Sequence, residues 1–249
     1  MDLYLKVLAV LTIGPLALQL GTAHPVTADE PNPVTAIDIM LEPDVQRPSA
    51  TLFKNVKVFD GKSDKLTAST SVLVVGNKIE KIGGDIVAPE KATVIDAGGR
   101  TLMPGLIDAH WHAMLVRPTP ADALTWDFGY ANLVAGAEAK DTLLRGFTTV
   151  RDVGGPAFGL KRAIDEGVSA GPRIYPSGAV ITVTSGHGDF RQPFEVPRTL
   201  GSARTRMEQI GASLLADSPD EVRLRVREQL MLGATQIKLT GGGGVASPH

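Results

Sequence analysis

Beyond Arg100 the chain alternates short strand-like runs with helix-forming stretches, and this alternation constrains the fold more than any other feature. Thr101 to Asp108 is apolar, with Pro104-Gly105 inside it, and ends in polar residues. Ala123 to Arg145 carries helix formers and stops at Gly146, a common left-handed terminator. Phe147 to Val150 reads as a strand ending in Arg151-Asp152, and Ala157 to Glu166 as a helix ending at Gly167. Arg173 to Thr184 is strand-like and runs into Ser185-Gly-His-Gly-Asp189. Ser218-Pro-Asp-Glu221 opens a helix with a capping box and proline in its first turn, and Gly233 ends it. Gln236 to Leu239 reads as a buried strand, followed by Gly241 to Gly244. Strand and helix alternating through short joints predict an α/β fold with a parallel sheet and helices outside it. Such folds gather their chemistry at the carboxyl ends of strands. His110-Trp-His112, Arg151-Asp152, His187-Gly-Asp189 and Lys238 all fall at those ends.

Residues 51–100 follow a different rule. Thr51 to Phe59 alternates apolar and polar residues as a half-buried strand does. Ser71 to Val75 and Lys78 to Ile82 form a strand pair joined through Gly76-Asn77, and Thr93 to Asp96 is a further short strand. A small antiparallel β unit is expected here. Further upstream, Lys6, an apolar run from Val7 to Leu20 and the small residues Gly21-Thr-Ala23 make a secretory leader over residues 1–23. The run is short for a stable membrane anchor and is interrupted by Pro15. Cleavage after Ala23 or Ala28 fits the small-residue pattern, and residues 24–50 read as an extended arm or linker. The expected location is exported, either periplasmic or secreted.

A net charge of −2 gives no reason to expect nucleic acid or an anionic membrane surface as a partner. The absence of cysteine removes disulfides, thiolate metal sites and a cysteine nucleophile. Any metal must be held by His, Asp, Glu or a modified Lys. His110 and His112 stand two apart at a strand end, where alternate side chains share a face and two imidazoles can ligate one ion. A pair of surface loop histidines is the plain alternative. Lys238 ends an apolar strand, where burial favours the neutral amine. Its plain alternative is a lysine whose head reaches solvent. His187 and Asp189 sit in a glycine-flanked loop open to the same end. Arg151 and Asp152 are either orienting groups behind the ligands or an ordinary ion pair. Asp108 is expected to take a structural hydrogen bond. Gly241 to Gly244 lacks the Lys-Ser/Thr of a phosphate loop and reads as a close-approach turn.

Four motifs in order carry a resemblance. Leu102-Met-Pro-Gly-Leu-Ile-Asp-Ala-His-Trp-His112 resembles the first barrel strand of the metal-dependent amidohydrolase superfamily. Gly146-Phe-Thr-Thr-Val-Arg-Asp-Val-Gly-Gly155 resembles its second strand and turn. Gly171-Pro-Arg-Ile-Tyr-Pro-Ser-Gly-Ala179 with Gly186-His-Gly-Asp189, and Gly233-Ala-Thr-Gln-Ile-Lys-Leu-Thr-Gly-Gly242, are similar to the branch of Xaa-Pro dipeptidases and ochratoxinase-like carboxypeptidases. The resemblance implies a (β/α)8 TIM-type barrel, of which residues 101–249 would be the first four units, preceded by part of a β-sandwich.

The same resemblance implies a binuclear site. His110 and His112 would bind one metal ion, and Lys238, carboxylated by carbon dioxide to a carbamate, would bridge two, with zinc the expected metal. His187 would polarise the scissile carbonyl or grip a carboxylate beside Asp189. The substrate would be a small molecule or dipeptide, or an N-acyl amino acid, cleaved at its amide C–N bond, and a homo-oligomer is compatible with all of this. The family site also needs two histidines from the fifth and sixth strands and an aspartate from the eighth. His24 and His249 do not supply them, so this polypeptide alone is expected to be a truncated, inactive form with open strand edges. The rival expectations are a cyclic-amide hydrolase or deaminase of the imidazolonepropionase-like type, which typically lacks the bridging lysine, and a non-catalytic half-barrel.

Overall fold

The computed structural model describes residues 50–192, 194–195 and 202–244. The expected leader over 1–23, almost all of the arm, and His249 lie outside the described residues.

The first five strands build the β unit. They are β1 (Ala50–Val58), β2 (Thr70–Val75), β3 (Lys78–Gly83), β4 (Thr93–Asp96) and β5 (Thr101–Leu102). The sheet order is β3-β2-β1-β4, with β5 also on β1. β1–β2 and β2–β3 are antiparallel as the sequence suggests, the latter joined at Gly76-Asn77. β4 and β5 instead run parallel to β1, so the unit is mixed. Apolar alternation reports which face of a strand is buried and carries no information on its direction. Leu52 and Leu73 centre one apolar cluster, and Val56 and Val72 another.

The remaining elements alternate. They are β6 (Leu106–Trp111), α1 (Pro120–Thr125), α2 (Phe128–Leu144), β7 (Phe147–Asp152), α3 (Phe158–Asp165), β8 (Arg173–Pro176), β9 (Val180–Thr182), α4 (Arg206–Gln209), β10 (Ser213–Leu215), α5 (Pro219–Met231) and β11 (Leu239–Thr240). Every pairing among their strands is parallel: β6-β7-β8 form one sheet and β10-β9-β11 another. Val150 and Ile174 of the sheet meet Ala135 and Ala139 of α2 and Leu160 of α3 in the core.

Several boundaries depart from expectation for local reasons. Pro104-Gly105 splits the first run, sending Thr101–Leu102 to the β unit and Leu106–Trp111 to the parallel sheet. The expected helix over 123–145 begins earlier, on the Thr119/Asp122 capping box, and breaks at Trp126, whose ψ of 145° is extended. It restarts with Asp127 capping the Tyr130 N–H. The strand expected over 173–184 is interrupted at Ser177 to Ala179. Its first part pairs with β7, and its second lies between β10 and β11. At Ser218 the hydroxyl caps Glu221, but the Glu221 carboxylate turns to the Asp217 N–H at 2.9 Å, so only half of the expected box forms. β11 keeps only Leu239 and Thr240, and Leu239 is 59% exposed instead of buried.

Candidate metal centre

β6 delivers the histidine pair. His110 is its penultimate residue and is exposed, while His112 follows the strand and is half-buried. The Asp108 carboxylate accepts the His110 N–H at 2.9 Å, the structural role expected of it. The pairing of β6 with β7 is irregular between Asp108 and Trp111, and beyond it the two rings meet edge-on with centroids 5.4 Å apart.

The end of β7 holds His112 from behind. Its Nδ1 lies 3.1 Å from the Gly154 carbonyl oxygen. A carbonyl can only accept, so Nδ1 carries the proton and Nε2 keeps its lone pair. Asp152 braces the same turn. Fully buried, it accepts the Ala113 N–H at 2.6 Å and the Gly154 N–H at 3.3 Å. Burial pushes its carboxyl up to about 7, against the pull of those two donors. Arg151 donates from Nε to the Ala109 carbonyl at 2.6 Å. Arg151 and Asp152 thus bond to backbone on either side of the histidine loop.

His187 comes from the loop after β9. That loop is tied to the glycine-rich turn after β11: the His187 N–H donates to the Gly242 carbonyl at 2.6 Å, and its carbonyl accepts from Thr240 Oγ1 at 2.5 Å. The His187 ring stands edge-on to Phe190, centroids 6.3 Å apart. Gly244 packs directly on the same ring, the close approach expected of the turn. Lys238, half-buried just before β11, accepts the Ile181 N–H through its carbonyl at 3.0 Å.

The electrostatics of His112 report which of these residues converge. Burial holds it below the usual histidine range, and the charges of His110, Lys238 and His187 depress it further, against the Gly154 carbonyl. His110 near the end of β6, His187 in the loop after β9 and Lys238 just before β11, not at a strand's carboxyl end as the sequence suggested, thus each act electrostatically on one imidazole. Asp189 does not join them. It is 3% exposed, it accepts the Ser185 N–H at 2.8 Å, and Arg191 grips it through Nε at 2.8 Å and through a terminal nitrogen at 2.6 Å. This pairing fixes the loop that carries His187. No pattern in the sequence singles out Arg191. Among the described residues no group of three or more His, Cys, Asp or Glu side chains gathers as a metal site.

Residues 101–249 match the amidohydrolase family. The chain belongs to that family. Similarity within it falls on the branch expected from the motifs. The ochratoxinase of Aspergillus niger is 35% identical over 193 residues, which is 71% of this chain and 39% of that protein. A crystal structure of a prolidase complexed with N-methylphosphonate-L-proline superposes with a TM-score of 0.71 at 34% identity, covering 80% of this chain and 48% of the prolidase. The crystal structure of A. niger ochratoxinase gives 0.64 at 26% identity, covering 81% and 48%. A dihydroorotase of Streptomyces coelicolor is 27% identical over 219 residues, 78% of this chain and 47% of that protein. The chain spans about two fifths of the length of the ochratoxinase and about half of the solved relatives. These relatives are TIM-barrel amidohydrolases, in agreement with the parallel α/β order of β6 to β11.

Proposed function

We propose that the full-length protein hydrolyses amide C–N bonds in dipeptides or N-acyl amino acids carrying a free carboxylate, using a divalent metal centre to which this chain contributes His110, His112 and Lys238. The observation that carries the reading is the environment of His112: a desolvated imidazole, its Nδ1 against the Gly154 carbonyl and its ring edge-on to His110, within electrostatic reach of Lys238 and His187.

The donor set fits a metal. An imidazole held as its free base offers Nε2 at no cost in proton removal. Converting the Lys238 amine to a carbamate would replace a positive charge near His112 with a negative oxygen donor. Two imidazoles and one carbamate are fewer than the four donors that zinc takes, so these residues are part of a ligand set. A divalent ion held by these residues would supply a water of lowered pKa and Lewis-acid polarisation of the scissile carbonyl. The protein's own groups do the rest. Gly154 and Asp152 fix the orientation of His112, and the Asp189–Arg191 pair holds the loop that presents His187. His187 would polarise the scissile carbonyl or grip the substrate carboxylate.

The similarity to a prolidase and to ochratoxinase supports a substrate with an acylated amino acid. The leader-like segment up to Ala23 supports an exported enzyme, periplasmic or secreted, and among the described residues no helix is long and apolar enough to cross a membrane. The test is metal analysis of the full-length protein with hydrolysis of Xaa-Pro dipeptides, N-acetyl amino acids and a cyclic amide. Bound zinc and cleavage of the first two classes are expected. Lys238→Ala and a His110→Ala/His112→Ala double variant should lose metal and activity together. Unchanged metal content and turnover in these variants would refute the assignment, and cleavage of the cyclic amide alone would favour the rival chemistry.

A further inference from the structure

We propose that the cavity between the β6–α1 loop, α1 and Phe190 receives an apolar side chain of the substrate. The cavity has a volume of about 230 Å³, and its walls include Leu115, Pro118, Ala123, Leu124, Phe190 and Met207. The remaining wall residue, Thr119, has its hydroxyl occupied: it donates to Asp122 Oδ2 at 2.8 Å and accepts the Asp122 N–H at 3.2 Å in the α1 capping box. No charged side chain lines the space. A polar or ionic group entering it would lose its water without gaining a partner, so the walls select an apolar one.

Position ties the cavity to the candidate centre. Its two facing walls are carried by the two loops that carry candidate site residues. Leu115 lies three residues after His112 and donates its N–H to the His112 carbonyl at 2.9 Å. Phe190 lies three residues after His187, with its ring edge-on to the imidazole. Phe190 thus touches His187 and also lines the cavity. A substrate held at the candidate centre and extending past His187 along Phe190 would reach this space. None of His110, His112, His187 and Lys238 lines this cavity; its link to them runs through Leu115 and Phe190, neither of which lines the larger cavities of about 320 and 450 Å³. Whole drug-sized ligands occupy roughly 300–1,000 Å³. A smaller apolar recess beside a reactive centre suits one side chain, a branched aliphatic group or a phenyl ring.

This pocket rests on the amide-hydrolase reading, and its test separates the two. Binding of N-acetyl-L-phenylalanine, N-acetyl-L-leucine and N-acetylglycine to the full-length, metal-loaded protein is measured by titration calorimetry. Cleavage of dipeptide series with Gly, Ala, Leu or Phe on either side of the scissile bond is followed alongside. Burial of a leucine or phenylalanine side chain predicts roughly a ten- to hundredfold preference over glycine. Ala123→Trp fills the cavity and should abolish the preference. Ala123→Leu, a smaller change that disturbs folding less, should remove the phenylalanine preference first. Discrimination in binding without cleavage of any amide would overturn the hydrolase reading and uphold the pocket. Equal binding of all three probes by the wild type, or a preference that survives in both variants, would overturn the pocket whatever the enzyme cleaves.

Discussion

His112 and Gly154 constrain each other from two directions. The imidazole Nδ1 is 3.1 Å from the Gly154 carbonyl oxygen, and the Gly154 α-carbon lies so near the ring that a Cβ there would stand 3.1 Å from Nδ1 and 2.6 Å from Val180 Cγ2. The carbonyl can reach the ring because residue 154 has no side chain. Asp152 closes the arrangement by accepting the N–H of the same glycine. The histidine is oriented from β7, a different strand from the one that carries it.

Gly154→Ala should therefore act on metal binding before it acts on fold. The new methyl group must push the His112 ring or the Val180 side chain aside, and the overlap costs about 1–3 kcal/mol of stability. Displacing the ring from its carbonyl should weaken zinc affinity about 10- to 100-fold. Titration calorimetry on the full-length protein would measure the second effect and thermal unfolding the first. Native zinc affinity in a folded Gly154→Ala protein would refute this role for the carbonyl.

The buried carboxyls give opposite pH signatures. Asp152 is raised by burial from an ordinary 3.8 to about 7, so the folded state holds its proton more tightly than the unfolded state. Its stabilising contribution is complete below about pH 4 and is lost as pH rises through about 7, with a slope of at most roughly 1.4 kcal/mol for each pH step of one. For Glu138, burial pulls upward but Arg117 and Arg145 win and hold it below its usual range. For Asp189, burial also pulls upward, and Arg191 with the Ser185 N–H prevails. These two contribute above about pH 4 and are lost on further acidification. Asp152 should thus lower the stability of metal-free protein as pH rises from 4 to 7, a trend that the depressed His112 opposes below about 6.5. Relative to wild type, Asp152→Asn should remove the Asp152 contribution while leaving the acid limb. Urea unfolding at several pH values would show it, and an unchanged slope in the variant would remove Asp152 as its source.

Gln229 makes a separate prediction about the fold. Its side chain, 4% exposed on α5, accepts the Ala179 N–H at 2.9 Å where β8 gives way to β9. Ala179 is itself 2% exposed, so its N–H has no water to turn to. Gln229→Met keeps the volume and removes the acceptor, which should cost about 1–3 kcal/mol. A denaturant midpoint equal to that of the wild type would show that the break is held elsewhere.

This break marks the limit of what the sequence discloses. The histidine pair, the Gly76-Asn77 turn, Thr93–Asp96 and the Ser218 helix start are local signals, set by residues a few positions apart, and all appear where the pattern puts them. The interruption at Ser177 to Ala179 depends on Gln229, fifty residues away, and the parallel direction of β4 depends on its pairing with β1. The commitment of Asp189 to Arg191 is equally a product of packing. α4 is different: Thr205-Arg-Met-Glu208 is a legible capping box that the alternation of larger elements obscures. That Lys238 and His187 act on His112 is implied in the sequence by family motifs alone, because no spacing rule links positions so far apart in the chain.

The glycine-rich turn offers a paired test within one loop. A Cβ on Gly244 would overlap the His187 ring, whereas one on Gly241 would meet nothing within 4 Å. Gly244→Ala must therefore move the imidazole or the turn, while Gly241→Ala leaves both in place. If His187 contacts the reacting carbonyl or the substrate carboxylate, Gly244→Ala should lower kcat/KM by at least about tenfold, since small misplacements of a positioned group are costly. Gly241→Ala should remain within about twofold. Zinc content should match the wild type in both, because the turn touches His187 rather than the His110–His112 pair. Equal kinetics for the two variants would show that the turn does not position His187, and loss of zinc in Gly244→Ala would show that it supports the metal residues instead.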